Sequence, residues 1–402
     1  MILSGILINA ATPPLHAWLP DAYPEATITG SVVLSAFTTK TAVYTLIRGF
    51  PGWQILILVG CIMAIYGLIY ALMENNIRRI LGYSIINQVG FKVAGVGIGT
   101  ALALNGASAH AFAHIIYKGQ LFMAAGSVIY MTGKSKCTDL GGLYKSMPWT
   151  TICCCIGALS ISAFPLTSGF TTKSMIVVGA EHEHMFWTWL VLQIASAGVF
   201  LQAGIKFPYF IFFGQDKGLR PGESHWSMLL AMGIMAFLCI LIGVYPEFLY
   251  KLLPFEAHTY HAYTPAHLIT KIQLLMFSAL AFFLLLPLSG LTNTISLDTD
   301  WFYRKGFQVA YLGISKFFTG LNKLSERVAL GIVNALAVFF RDAGTRLVLY
   351  TMITLWLLTG VRGTKLEMQK RNLYLDMRQG TVPVGIGAAI STIFIVFVFM
   401  MN

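Results

Sequence analysis

Apolar residues in this chain form neither the alternation of a surface strand nor the one-sided stripe of a soluble helix. They gather in runs long enough to cross hydrocarbon. Such runs cover 31–48, 54–73, 80–99, 106–131, 149–180, 187–213, 226–246, 267–288, 344–361 and 383–401, and residues 1–11 read as the tail of another apolar helix. The pattern predicts an all-α polytopic membrane protein of about 10 spans.

Two stretches depart from it. The run 149–180 is too long for one plain span and holds "SAFPLTSGFTTK" in its middle. There Pro165 removes a backbone donor and Gly169 loosens the helix, which predicts a break or re-entrant turn over 163–170. Between 298 and 343, Lys, Arg and Asn mix with Phe, Leu and Val at helical spacing. That reads as one or two amphipathic helices lying along the membrane or against a partner. A basic stretch, "VRGTKLEMQKRNLYLDMRQG", precedes the last span.

Composition agrees: 56% of the 402 residues are hydrophobic and 11% charged, against about 25% charged in soluble domains. The net charge of +11 is scattered or lies between apolar runs, the pattern of cytoplasmic loops and anionic lipid headgroups rather than nucleic-acid binding. Arg78, Arg79, Lys134, Lys136, Lys145, Lys217 and Arg220 collect on one side, against little beyond Arg48 and Lys251 on the other, so the first side is expected to be cytoplasmic. The basic loop 362–378 then falls outside unless part of 307–340 also crosses. The six cysteines have no metal-ligand spacing, and consecutive Cys153, Cys154 and Cys155 point about 100° apart on a helix. They read as small apolar fillers. Residues 1–11 lack the basic segment of a cleavable signal.

Ionisable residues inside spans carry the candidate chemistry. A lysine at a helix centre costs roughly 2.5–3.5 kcal/mol to insert, and such residues usually face a bundle interior or an aqueous path. Lys40 lies near the middle of its span, where snorkelling to the headgroups would be strained. His110, His114 and Lys118 follow at i, i+4 and i+8, on one helix face. Two imidazoles and an amine at one-turn spacing can pass a proton between them, so the stripe reads as a proton relay. Lys206 precedes Pro208, whose missing N–H opens the helix locally. Lys173 follows the expected break, and Lys92 is in-span with no partner assigned. His16, Trp18, Asp21, Tyr23 and Glu25 belong to a Pro-punctuated loop and read as interfacial anchors. "HEH" at 182–184 lacks a third ligand and its histidines point apart, while "VGIGT" at 96–100 has neither the Lys-Ser/Thr nor the strand of a phosphate loop. No metal or cofactor site is expected in this chain.

The segments "PLHAWLPDAYPEA", "SVVLSAFTTKTAVY", "NNIRRILGYSIINQVG", "AHAFAHIIYKGQLFMAAGSV" and "ALSISAFPLTSGFTTK" follow one another over about residues 1–250. In that order they resemble the proton-translocating antiporter-like membrane subunits of Mrp-type Na+/H+ antiporters, respiratory complex I and membrane-bound hydrogenases, with a loop pattern similar to that of the D-type Mrp subunit. The resemblance implies paired inverted half-channels with broken helices, a midplane row of lysines and histidines, and a bacterial or archaeal cytoplasmic (inner) membrane. It implies that 1–100 is an incomplete first half-channel and 101–250 the second; the residue pattern beyond gives 251–297 as a further transmembrane helix, 298–343 as amphipathic helices and 344–402 as C-terminal transmembrane helices.

Carried over residue by residue, Lys40 matches the lysine of the first half-channel, His110, His114 and Lys118 the central relay, and Lys206 the terminal lysine of the second half-channel. Lys173, Arg78 and Arg79 are weaker candidates; Arg78 stands where the family commonly has lysine and Asn76 where it has aspartate. Leu166 replaces the second proline of a Pro-Pro turn, and Ile85 the second serine of "AYSS". Family members carry helices before "PLHAWLP", with a glutamate that pairs with the lysine matching Lys40. Three explanations stand open here: a separate chain supplies those helices, Met1 is not the native start, or a half-channel has been lost. The resemblance thus implies partners among other membrane subunits, and a proton-conducting subunit of a cation/proton antiporter. Its rivals are a proton-pumping subunit of a redox-driven complex and a non-conducting scaffold.

Overall fold

The computed structural model describes residues 1–256, 260–286 and 298–379, with Ile395 and Phe399. The sequence-predicted span 383–401 lies outside the described residues except for those two. Among the described residues every element is helical and no strand forms. The order is α1 Ile2–Asn9, α2 Trp18–Glu25, α3 Ile28–Gly49, α4 Ile55–Met73, α5 Ile77–Ile98, α6 Ala101–Thr132, α7 Pro148–Ile161 and α8 Ser168–His182. There follow α9 Phe186–Val199, α10 Trp226–Val244, α11 Glu247–Tyr250, α12 Pro265–Leu285, α13 Asp300–Leu358 and α14 Thr364–Gln379. Met1–Lys305 forms one compact unit and Gly306–Asn402 a second.

In the first unit α5 is the central helix: every residue of it except Arg79 is buried. The α4–α5 pair closes backbone to backbone, because a Cβ on Gly60 would lie 2.3 Å from the amide nitrogen of Ala94. Such close approach replaces the hydrophobic effect as the source of packing energy in lipid. Helix α6 packs on α5, with α3 and α8 against α6. Caps explain the boundaries. The Asn76 side chain accepts from the amides of Arg78 and Arg79 at 2.9 and 3.3 Å and starts α5, so the departure from aspartate keeps the cap. Gly99 and Gly133, both at positive φ, end α5 and α6.

Among the described residues, five helical stretches are long and apolar enough to cross a membrane by composition: α4, Phe186–Phe213, α10, α12 and α13. Helices α3, α5 and α6 have 22, 22 and 32 residues, length enough to span, but carry the polar residues. Packed among other helices, they face less lipid and tolerate polarity that a lipid-facing helix does not.

The long run breaks where expected, over 162–167, between α7 and α8. Gly169 does not loosen it, however. It sits inside α8, where a Cβ would be 1.9 Å from the Ser160 carbonyl oxygen, so it lets the two half-helices overlap. Ala163 and Leu166 take left-handed backbones, φ 56° and 68°, each at about 1–2 kcal/mol for an L-residue. Leu166 therefore has a conformation closed to proline, whose φ is held near −65°. Leu166→Gly is expected to raise stability by about 1 kcal/mol and Leu166→Pro to lower it by about 3 kcal/mol, read from the thermal midpoint of the purified protein.

The Lys206 region also opens as expected. Phe200–Lys206 and Tyr209–Phe213 are π-helical on either side of Pro208. The segment 298–361 differs from the sequence reading. Rather than separate amphipathic and transmembrane pieces, α13 is one helix of 59 residues with no break at 343/344. Its helical period continues through the change in polarity, and Gly344 alone costs only about 1 kcal/mol. The helix stops just before Gly360, at φ 84°.

Candidate functional site

Antiparallel α5 and α6 bring their polar residues face to face. The Lys118 ammonium donates to the Leu81 carbonyl at 3.1 Å. Lys92 Nζ lies 2.9 Å from His114 Nδ1 and donates to the Gln88 carbonyl at 3.2 Å. His110 Nε2 is 3.0 Å from the Gln88 side-chain oxygen, which also accepts from Tyr117 at 3.2 Å. Leu81, Gln88 and Lys92 share one face of α5, at i, i+7 and i+11. All the side chains in this cluster are buried, and the two imidazole rings stack with centroids 6.0 Å apart.

Helix α8 extends the cluster. His110 Nδ1 is 3.4 Å from Thr172 Oγ1, and Lys173 Nζ sits 4.3 Å over the Phe91 ring. His114 Nε2 and Lys173 Nζ are buried without a protein hydrogen-bond partner, which is how water-bridged polar groups look in a protein interior. An imidazole held this way can take a proton at Nδ1 from Lys92 and release one from Nε2.

The sequence candidates therefore divide. His110, His114 and Lys118 do share a face, and Lys173 lies beside the cluster, over the Phe91 ring next to Lys92. Lys40 is buried but donates to the Ser35 carbonyl of its own helix. Lys206 lies elsewhere: it donates to the carbonyls of Leu72, Glu74 and Ala71 at 2.6, 2.7 and 3.3 Å, capping the C-terminal end of α4. Arg78 caps α2 through the carbonyls of Ala26 and Pro24 at 2.7 and 3.0 Å. Arg79 joins Glu74 and Asp21, each at 3.0 Å. Through these bonds the two arginines tie α2 to the start of α5, two turns or more before Gln88 and Lys92.

Sequence reasoning left one group without its partner and missed two others. Lys92 had no visible partner, because His114 lies on another helix. Lys271, buried in α12, donates to Ser196 Oγ at 2.7 Å; an in-span lysine was the available signal. Asp298 accepts from His16 and Tyr83 at 2.9 and 2.6 Å and from Tyr66. Burial pushes the Asp298 carboxyl up, but the hydrogen bonds from His16, Tyr66 and Tyr83 outweigh it and hold the group well below the usual carboxylate range. His16 is thus an anchor inside the bundle rather than at its interface. Among the described residues no group of three His, Cys, Asp or Glu could hold a metal ion.

Residues 1–199 match the family described as NADH:quinone oxidoreductase/Mrp antiporter, transmembrane. Residues 1–199 belong to that family.

Among relatives of this antiporter-like chain, hydrogenase-4 component B of Escherichia coli is 29% identical over 67% of the chain and 45% of the relative. The D-type subunit of the Na(+)/H(+) antiporter of Alkalihalophilus pseudofirmus is 32% identical over 58% of the chain and 50% of the relative. In the solved structure of a membrane-bound sulfane sulfur reductase, an archaeal respiratory membrane complex, one chain superposes with TM-score 0.60 and 26% identity, over 74% of this chain and 54% of that one. The antiporter-like chain thus spans about half the length of the curated relatives it matches. It is an integral membrane protein.

Proposed function

We propose that the chain is a proton-conducting subunit of a multisubunit monovalent cation/proton antiporter of the Mrp type, in a bacterial or archaeal inner membrane with other membrane subunits as partners. The observation that carries this reading is the buried Lys92–His114 pair at 2.9 Å, with the His114 ring stacked 6.0 Å from that of His110, which in turn meets Gln88 and Thr172 at 3.0 and 3.4 Å. Lys118 and Lys40 feed this cluster from the bundle centre. Lys206, at the α4 terminus beside Glu74, stands at its cytoplasmic end. A membrane potential supplies about 2.3 kcal/mol per charge per 100 mV, enough to bias such steps.

The resemblance to hydrogenase-4 component B and to the respiratory reductase favours a second reading, a proton-pumping subunit of a redox-driven complex. Purifying the intact complex, identifying its chains by mass spectrometry and recording its visible spectrum separates the two. Small membrane subunits without flavin or iron–sulfur absorbance, and cation-dependent collapse of a pH gradient in everted vesicles, are the expected result. Redox chromophores would transfer the chain to the second reading.

A further inference from the structure

Two cavities among the described residues lie beyond Lys173. The inner one, about 30 Å³, is lined by Phe170, Lys173, Ser174, His267 and Lys271. By this measure it has room for about two waters. The outer one, about 890 Å³, is open and lined by Glu247, Tyr250, Glu256, Tyr260, His261 and Tyr263. A hydroxyl pair joins them: Ser174 Oγ, of the inner wall, lies 2.6 Å from Tyr260 OH, of the outer wall. His267 and Lys271, one turn apart on α12, face the inner cavity together. The His267 ring stacks on Phe170 at 4.7 Å and its Nδ1 meets the Ala262 carbonyl at 2.8 Å.

The outer cavity lies away from the basic loops. Asn76 bridges Lys136 and Gly141 packs on the Gln215 carbonyl, which gathers those loops at one end of the bundle. Helix α10 starts after that end at Trp226 and, after 19 residues or about 28 Å, reaches Val244 on the outer cavity. With positive loops inside, the cavity opens outward.

We propose that α12 and the Ser174–Tyr260 pair form the outer exit of the proton path, an inference that rests on the proton-conducting reading above. The proton leaves an N–H bond of the Lys173 ammonium and passes through cavity water to the Lys271 amine. Returned to that water, it crosses to the outer cavity by breaking one O–H bond and forming another along Ser174 and Tyr260. Glu247 and Glu256 receive it there. No electrons move, and each donor is reset by the next proton.

The test uses the assembled complex in vesicles, with the amount of the chain checked by mass spectrometry. Tyr260→Phe and Lys271→Met should each slow transport about tenfold or more while leaving the apparent KM for the cation unchanged. Lys271→Arg should be equally slow, since a guanidinium keeps the charge but does not release a proton. Normal turnover in Lys271→Arg or in Tyr260→Phe would overturn the exit, and if Lys271→Met fails to assemble, Tyr260→Phe decides. A cysteine placed by His261→Cys should react with a membrane-impermeant maleimide from outside intact cells, above the parent chain; reaction only in everted vesicles would overturn the direction. Loss of transport in His114→Ala beside normal Tyr260→Phe would sink the exit alone. Unchanged transport in His114→Ala would sink the conducting reading itself.

Discussion

Replacing His114 with alanine is expected to lower proton-coupled transport by about 10²-fold or more, the usual loss when a positioned proton carrier is removed. The imidazole is the group that meets Lys92 at 2.9 Å while leaving its second nitrogen without a protein partner. Alanine therefore removes both the acceptor and the donor in one step. Lys92→Met should impair transport as well, because it leaves Nδ1 without its donor. The double variant His114→Ala/Lys92→Met should be scarcely worse than His114→Ala, since two residues on one path do not add. The initial rate of pH-gradient collapse in vesicles measures all three. Additive losses would mean that Lys92 acts outside the path through His114.

Gly169→Val should cost about 3 kcal/mol or more and sharply reduce recovery of the folded chain. Even Gly169→Ala is expected to destabilise, the reverse of the usual gain of about 1 kcal/mol for that change inside a helix. The reason is that the Cβ would meet the Ser160 carbonyl oxygen at 1.9 Å, and backbone cannot move aside as a side-chain tip can. Pushing the half-helices apart would also shift Ser168, whose hydroxyl lies 2.8 Å from that of Ser160, and with it the start of the helix bearing Thr172 and Lys173. Thermal unfolding of the purified chain is the check. A Gly169→Ala chain as stable as its parent would show that the overlap is not tight.

The sequence made the helices legible because apolar runs of spanning length are a physical requirement of the bilayer, and it made the break legible through Pro165, while Gly169 serves the packing of α8 instead. It also placed His110, His114 and Lys118 on one face, since helical spacing alone decides that. What it left hidden depends on partners distant in the chain. Nothing near Lys92 points to His114, and nothing near Lys206 points to the carbonyl ends of α4. Lys271 lies close enough to the start of α12 to look like a snorkelling lysine until Ser196 is brought against it. The left-handed Leu166 has no sequence marker, because glycine usually holds that conformation. The continuity of α13 was masked by a change of polarity, which is a change of surroundings and not a helix stop.

The burial of α5 behind α4 has a consequence for biogenesis. A segment with Arg78, Arg79, Asn87, Gln88 and Lys92 is a poor candidate to leave the insertion machinery for lipid by itself. Helix α4, with mean hydropathy 2.6, enters readily, and its Gly60 lets the following helix nest against it before any later helix has been synthesised. The two would then partition as one hairpin, the apolar member carrying the polar one. A bulky residue at Gly60 would be felt first as chains stalled or degraded at the membrane, before any proton had moved.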